Sequence, residues 1–245
     1  MVTIIVPTYN EEENIKKFQN NLSKLEGDFE IIFSDGFSTD RTYDLIKYKK
    51  IRQAKYRSNQ MNEAVKYAQG DILWFLHADS IVDPLSIKKI EESDLDAVGC
   101  FKLKFDKKNL LLQMIEIGSN LRVDIRKIAF GDQGIFIKKS LFEKLGGYKP
   151  IPLMEDYEFS IMLKENDIAI KRLNTPITTS SRRYMKNGIL KTNRMMHKLQ
   201  KTYRKARKKG YVNKIIDDIY NVYEQKMFMS KKNRRSFGRS KKYCK

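Results

Sequence analysis

The chain has 245 residues, 41% of them hydrophobic and 32% charged, enough for one domain of ordinary size with its own core. It contains no run of about 18 apolar residues, so no transmembrane helix is expected, and Met1 to Pro7 lack the basic start and apolar length of a signal peptide. Two cysteines, Cys100 and Cys244, make no disulfide framework, and no cysteine–histidine cluster points to zinc; a reduced, cytosolic protein is expected. The net charge of +19 is unevenly placed. Residues 1–170 hold 25 basic and 27 acidic side chains, a balance of −2, whereas residues 171–245 hold 24 and 3, a balance of +21. A neutral body with a polycationic end points to an anionic partner for that end: a membrane surface, nucleic acid or another phosphate-rich surface.

Val2 to Val6 reads as a buried strand that Pro7-Thr8-Tyr9-Asn10 breaks. Ile15, Phe18, Leu22 and Leu25 mark one face of a helix, with Asn10 and Glu13 spaced as a capping box. Phe29 to Ser34 is a second strand, ended by Asp35-Gly36, and Ser38 or Thr39 is placed to cap a helix carrying Tyr43, Leu45 and Ile46. Met61, Ala64, Val65 and Ala68 form a third helical stripe closed by Gly70. The five apolar residues Ile72 to Leu76 suit a strand buried on both faces, which delivers His77-Ala78-Asp79 at its carboxyl end. That end is where open α/β sheets bind ligands. Asp83 then caps a helix with Pro84 in its first turn. A strand over residues 97–105, a helix over 110–121, a turn at Gly131-Asp132-Gln133-Gly134 and a strand over 135–138 follow. Ser140 and Glu143 repeat the capping-box spacing over a short helix, Glu155-Asp156 opens a helix running to Leu163, and residues 168–173 form a late strand. This alternation predicts an α/β fold with a mostly parallel sheet flanked by helices.

From Gly188 the character changes. Ile189, Thr192, Met196, Leu199, Tyr203 and Ala206 share one helical face among Lys and Arg, and Val212, Ile215, Ile216, Ile219, Tyr223 and Met227 make a second stripe. Residues 230–245 have too little apolar content to fold and are expected to be a disordered basic tail. The expected organisation is a body over residues 1–188, a basic amphipathic extension over 189–229 and the tail, with no internal repeat.

Six stretches occur in order: I-I-V-P-T-Y-N-E (4–11), S-D-G-F-S-T-D (34–40), R-S-N-Q-M-N-E-A (57–64), G-D-I-L-W-F-L-H-A-D (70–79), G-D-Q-G (131–134) and P-L-M-E-D-Y-E (152–158). Together they resemble the family 2 glycosyltransferases of GT-A, Rossmann-like fold. The pattern is most similar to the branch labelled radical-SAM/selenodomain-associated transferases, over roughly residues 1–200. Each motif alone is of low specificity; six in order are not.

The resemblance implies a nucleotide-sugar donor, Mg²⁺ or Mn²⁺, and inverting transfer to an acceptor hydroxyl. It places Pro7, Thr8 and Tyr9 on the nucleotide pocket, with Asp35 on the base or ribose and Arg57 and Asn62 near the nucleotide. It makes Asp79 the direct metal ligand, as the last acid of the family's D-x-D; His77 stands where the first acid is usual. Asp132, Gln133 and Glu155 would face donor sugar and acceptor, and Asp156 would be the general base, at a helix start where the dipole favours its ionised form. The Q-x-x-R-W segment of many members is absent, and Arg182 or Arg183 stands in for it at the diphosphate. The basic amphipathic part suits an anionic membrane at the inner face of the cell membrane and a lipid-linked acceptor. The competing reading is a nucleic-acid- or anionic-surface-binding protein built on the basic region; no base-reading motif is present and no specific nucleic acid is expected. A nucleotidyltransferase would carry a Gly-rich basic loop where P-T-Y-N-E-E-E stands, and that stretch is acidic.

Overall fold

The computed structural model describes residues 1–54, 56–93 and 98–210. Two units divide the chain, Met1–Ser181 and a second that begins at Arg182. In the first unit the elements run β1 (Val2–Thr8), α1 (Glu12–Leu22), β2 (Phe29–Asp35), α2 (Thr42–Leu45), β3 (Lys49–Arg52), α3 (Arg57–Val65), β4 (Ile72–Phe75), α4 (Ser86–Glu91), β5 (Val98–Phe105), α5 (Leu110–Arg126), a 3₁₀ turn (Gly131–Gln133), β6 (Phe136–Lys138), α6 (Lys139–Lys144), α7 (Glu155–Glu165) and β7 (Ile170–Thr179). The second unit holds α8 (Arg182–Asn187) and α9 (Ile189–Lys208). The amphipathic stripe expected over 212–227 and the tail over 230–245 lie outside the described residues.

The strands form one seven-stranded sheet in the order β3-β2-β1-β4-β6-β5-β7. β1 pairs in parallel with β2 and β4, β2 with β3, and β5 with β7; the short β6 runs antiparallel to both its neighbours. The sheet is mostly parallel, as the alternation of elements predicts. Because side chains alternate across a strand, Val2, Ile4 and Val6 join α1's Ile15, Phe18 and Leu22 in one core layer, while Ile5 joins α3's Met61, Ala64 and Val65 in the other. β4 does the same: Ile72 and Trp74 face the α1 side, Leu73 and Phe75 the α3 side. Helices therefore cover both faces, which is why these strands read as continuous apolar runs.

Several local expectations are corrected. The strand β3, of sequence K-K-I-R, has no buried residue and pairs only with β2, so its edge position leaves no apolar signature. Asn10 does not cap α1: no side chain of the preceding residue does so, and the free amides of Glu11 and Glu12 donate instead to Thr42 Oγ1 (2.7 Å) and Asp40 Oδ2 (3.2 Å) from the loop after β2. Ser38 and Thr39 likewise do not cap α2; Asp40 Oδ1 takes the Thr42 amide (2.9 Å). No capping box forms at α6. Strand β7 extends six residues beyond the expected end at Leu173, because its second half pairs with β5 from Lys102 to Phe105 after a bulge. Helix α5 outruns its expected end by five residues; Asn109 caps its start.

The chain builds β2 and β3 on one side of β1 and then crosses to place β4 on the other. That reversal between β1 and β4 is the switch point at which open parallel sheets leave a crevice beyond the carboxyl ends of their strands. Thr8, Asp35 and His77 stand at those ends.

Candidate active site

The loops after β1 and β2 are stitched to each other. Register pairs Thr8 with Asp35, and the Gly36 amide donates to the Thr8 carbonyl (2.8 Å). The Asn10 amide donates to Ser38 Oγ (3.0 Å) and the Thr39 amide to Asn10 Oδ1 (2.9 Å). Asn10 adopts φ 54, a left-handed conformation that Asn tolerates better than other side chains. Asp35 is fully buried; its carboxylate accepts from the Ser38 amide (2.9 Å), Ser38 Oγ (2.5 Å) and, at 3.5 Å, Thr8 Oγ1. Tyr9 and Phe37 remain at the rim, 39% and 55% exposed.

Sequence reasoning passed over Gln60. It is buried, and its Nε2 donates to the carbonyls of both Thr8 (2.8 Å) and Ser34 (2.6 Å), so one amide holds the ends of β1 and β2 together. The signal was its place inside R-S-N-Q-M-N, on the buried face of α3. Asn62 from the same stretch uses both ends of its amide on the Tyr148 backbone, donating at 2.7 Å and accepting at 3.0 Å. Arg57, the first residue of α3, pairs its Nε with Glu155 Oε1 at 2.9 Å.

Glu155 is the first residue of α7 and only 2% exposed. Its Oε2 is buried without a hydrogen-bond partner. Burial pushes its carboxyl up to about 6; the Arg57 guanidinium opposes that rise and the neighbouring Asp156 adds to it. The residues before the paired side chains are both strained: Tyr56 has φ 108 and Met154 φ 70. Since the folded protein binds the Glu155 proton more tightly than the unfolded chain, whose carboxyl titrates near 4.5, this group's contribution to stability is complete below that pH and falls as pH rises to about 6. Between pH 4.5 and neutrality Glu155→Gln should therefore gain about 2 kcal/mol relative to the native chain, read from urea unfolding at both ends of the range. A pH-independent difference between the two proteins would refute the buried-acid assignment.

Asp156 directs its carboxylate at two backbone amides, Tyr157 N to Oδ1 (2.7 Å) and Gly131 N to Oδ2 (2.8 Å). The second bond ties α7 to the G-D-Q-G turn. A methyl group added at Gly131 would stand 2.7 Å from His77 Nε2 and 3.4 Å from Asp156 Oδ2. The segment after β4, the 3₁₀ turn and the start of α7 thus converge on one point, with His77 and Asp156 both beside the place a Gly131 side chain would take. Gly131→Ala has no positive φ to forbid it, so it should fold, but by displacing the imidazole or the carboxylate it should lower turnover by about a hundredfold. Unchanged turnover with a normal melting temperature would show that this point is not where chemistry occurs.

Asp132 lies in the same turn, half-buried. Gln133 is turned inward and fully buried: its Oε1 accepts from Arg122 (3.1 Å) and from the Phe130 amide (3.3 Å). Arg122, on α5, also lies over the Phe130 ring at 4.0 Å and donates to the Ile128 carbonyl (3.2 Å), so it braces the whole turn. Ser160 closes it from α7, exchanging bonds with the Ala129 backbone. Neither Arg122 nor Ser160 was flagged by the sequence motifs.

Asp79 borders a cleft of about 520 Å³ that Asn14 and Lys17 of α1, Asp106, Thr179 and Ser180 also line. Among the described residues no three His, Cys, Asp or Glu side chains stand close enough to hold a metal alone. One carboxylate with an imidazole nearby still fits a magnesium-type ion, which takes one or two carboxylates and completes its shell with substrate phosphate and water. Arg182 and Arg183 open α8, in the second unit.

The model of the family described as glycosyl transferase family 2 matches residues 3–146. The chain belongs to glycosyl transferase family 2. It is 27% identical over 195 residues to the PGL/p-HBAD biosynthesis glycosyltransferase of Mycobacterium bovis (strain BCG), covering 70% of this chain and 73% of that protein. It is 31% identical over 99 residues to the poly(ribitol-phosphate) beta-N-acetylglucosaminyltransferase TarS of Staphylococcus aureus (strain Mu50), but that match covers 35% of this chain and only 17% of TarS. Crystallised TarS superposes with a TM-score of 0.58 at 21% identity, over 74% of this chain and 60% of that one. A mannosyltransferase from Pyrobaculum calidifontis, solved with GDP-Man and Mn²⁺, gives 0.59 at 19%, over 72% and 56%. At these identities the structural likeness establishes the fold, and the fold of this family 2 member is GT-A.

Proposed function

We propose that this family 2 member is an inverting, metal-dependent glycosyltransferase that moves a sugar from a nucleoside-diphosphate sugar to an acceptor hydroxyl. One observation carries the reading: the H-A-D end of β4 and the E-D start of α7, far apart in the chain, meet at Gly131, with His77 Nε2 and Asp156 Oδ2 beside the place of its missing side chain. A donor-side motif and a candidate base on one spot is what a single displacement needs. Support from relatives is that TarS has been crystallised with UDP-GlcNAc and the Pyrobaculum enzyme with GDP-Man and Mn²⁺.

In this reading Pro7, Thr8 and Tyr9 receive the nucleotide on a platform that Asp35 and Gln60 hold rigid. Asp35 reaches the ribose or base through the turn it organises. Arg57 serves the nucleotide while keeping Glu155 in place, Asn62 positions the loop at Tyr148, and Gln133 positions Asp132 toward donor sugar and acceptor. Asp79 would hold Mg²⁺ or Mn²⁺. Such an ion, when bound, supplies positive charge to the diphosphate. Asp156 takes the proton of the acceptor hydroxyl. The acceptor oxygen bonds to the anomeric carbon as the carbon–phosphate-oxygen bond breaks, and the nucleoside diphosphate leaves with the electron pair. One displacement inverts the anomeric centre.

The finer assignment to the radical-SAM/selenodomain-associated branch rests on R-S-N-Q-M-N, H-A-D and G-D-Q-G read together. The basic extension over 189–229, of which α9 is described, favours an anionic membrane and a lipid-linked acceptor; a cytoplasmic protein peripheral to that membrane follows.

The test is a panel of nucleotide sugars with Mg²⁺ or Mn²⁺, scored by equilibrium binding and by slow hydrolysis to the nucleoside diphosphate. At least one donor should bind and hydrolyse, and Asp79→Ala should lose the hydrolysis and the metal-dependent part of the binding. If no donor binds, the reading fails.

A further inference from the structure

Helix α5 has one buried face and, opposite it, an exposed apolar one. Leu112, Ser119, Asn120 and Val123 turn inward and are buried. On the other side Leu110, Met114, Ile117, Leu121 and Ile125 stand 73%, 62%, 66%, 51% and 68% exposed. Their spacing is that of a single helical stripe, about 22 Å long at the rise of an α-helix. Gly118 lies along it, with nothing within 4 Å of where its side chain would be. Scattered exposed leucines mean nothing, but a continuous row of five is an interaction surface.

The charges around the stripe say what it meets. Lys107 and Lys108 precede it and Arg126 and Lys127 end it, all exposed. The two acids of the helix are engaged: Glu116 Oε1 takes the Phe105 amide (2.7 Å), and Asp124 accepts from Nε and Nη2 of Arg172 (3.0 and 2.9 Å). A second copy of the chain fits poorly, because both ends of the stripe are cationic and a self-paired stripe sets like charges together in either orientation. A row of Leu, Met and Ile with Lys and Arg at both ends suits an anionic lipid surface, with the apolar side chains in the acyl boundary and the cations at the headgroups. No described helix is long and apolar enough to cross a membrane, so the contact runs along the surface.

We infer that α5 is a membrane-docking helix, seating the glycosyltransferase body on an anionic bilayer through Leu110, Met114, Ile117, Leu121 and Ile125. This deepens the lipid-linked acceptor of the proposed function and rests on it for its purpose, but its evidence is separate. It also differs from attraction by the basic C-terminal region, which is electrostatic and weakens with salt.

The full-length protein and its Ile117→Asp/Leu121→Asp variant are sedimented with vesicles of phosphatidylcholine alone and of phosphatidylcholine mixed equally with phosphatidylglycerol, at low and high salt. Both positions are exposed, so the variant should keep its melting temperature. On anionic vesicles at high salt, where the polycation is screened, the variant should partition about tenfold less than the native chain or weaker still. Equal partitioning of the two would overturn the inference. So would a native dimer that the variant dissolves in solution without any native vesicle binding, since the stripe would then belong to a second copy. Donor binding is measured on both proteins: if neither binds any nucleotide sugar, the enzyme reading falls and the lipid result stands by itself.

Discussion

Asp156→Asn should lower sugar transfer by about two to four orders of magnitude while leaving donor binding nearly unchanged. Asn keeps the size, and its single oxygen can still accept the Gly131 amide that ties α7 to the turn, although the Tyr157 amide, bonded to the other carboxylate oxygen in the native chain, then loses its partner. What is lost is the capacity to take a proton from the acceptor. The measurement is initial rate against acceptor concentration, paired with calorimetric titration of the nucleoside diphosphate. A variant that transfers at the native rate would remove Asp156 from the role of base. One that loses donor affinity in step with rate would make it a structural residue of the pocket.

Asp79→Ala should weaken the Mn²⁺-dependent part of nucleoside-diphosphate binding by about a hundredfold, with the metal-free affinity unchanged. Asp79 lies in the turn four residues past the end of β4, beside the cleft shared with Lys17 and Asp106, and His77 supplies no second carboxylate. With so few protein oxygens, removal of one should abolish most ion binding rather than part of it. Identical titrations of native and variant protein, each with and without Mn²⁺, would show that the ion is held elsewhere.

The strand–helix order and the ends of the buried strands were legible because each rests on local pattern. Ile72 to Leu76 could hardly be anything except a strand covered on both sides, and a carboxylate at its end follows from the chain itself. β3 was illegible because K-K-I-R on an edge needs no apolar face. The helix caps were illegible for a different reason. α1 is capped from a loop some thirty residues on, by Thr42 and Asp40, and no local rule reaches that far. The same holds within the site. Motifs place Asp35, Asp79 and Asp156 at the edge of the sheet, but Gln60, Arg122 and Ser160 act on carbonyls, amides and side chains distant in sequence. Asn62 and Gln133 carry the right names in the right motifs, yet their amides serve the scaffold.

Arg57 and Glu155 begin two helices that bear different halves of the proposed chemistry, and their ion pair joins the halves. Changes at the start of α3 and at the start of α7 should then combine non-additively, by about 0.5–3 kcal/mol in a double-mutant cycle. The practical result concerns inheritance. A chimera that takes its nucleotide-facing segment from one relative and its E-D helix from another inherits a buried acid without the guanidinium that matches it. In such hybrids donor preference and acceptor chemistry should travel together, as a matched set rather than as interchangeable parts.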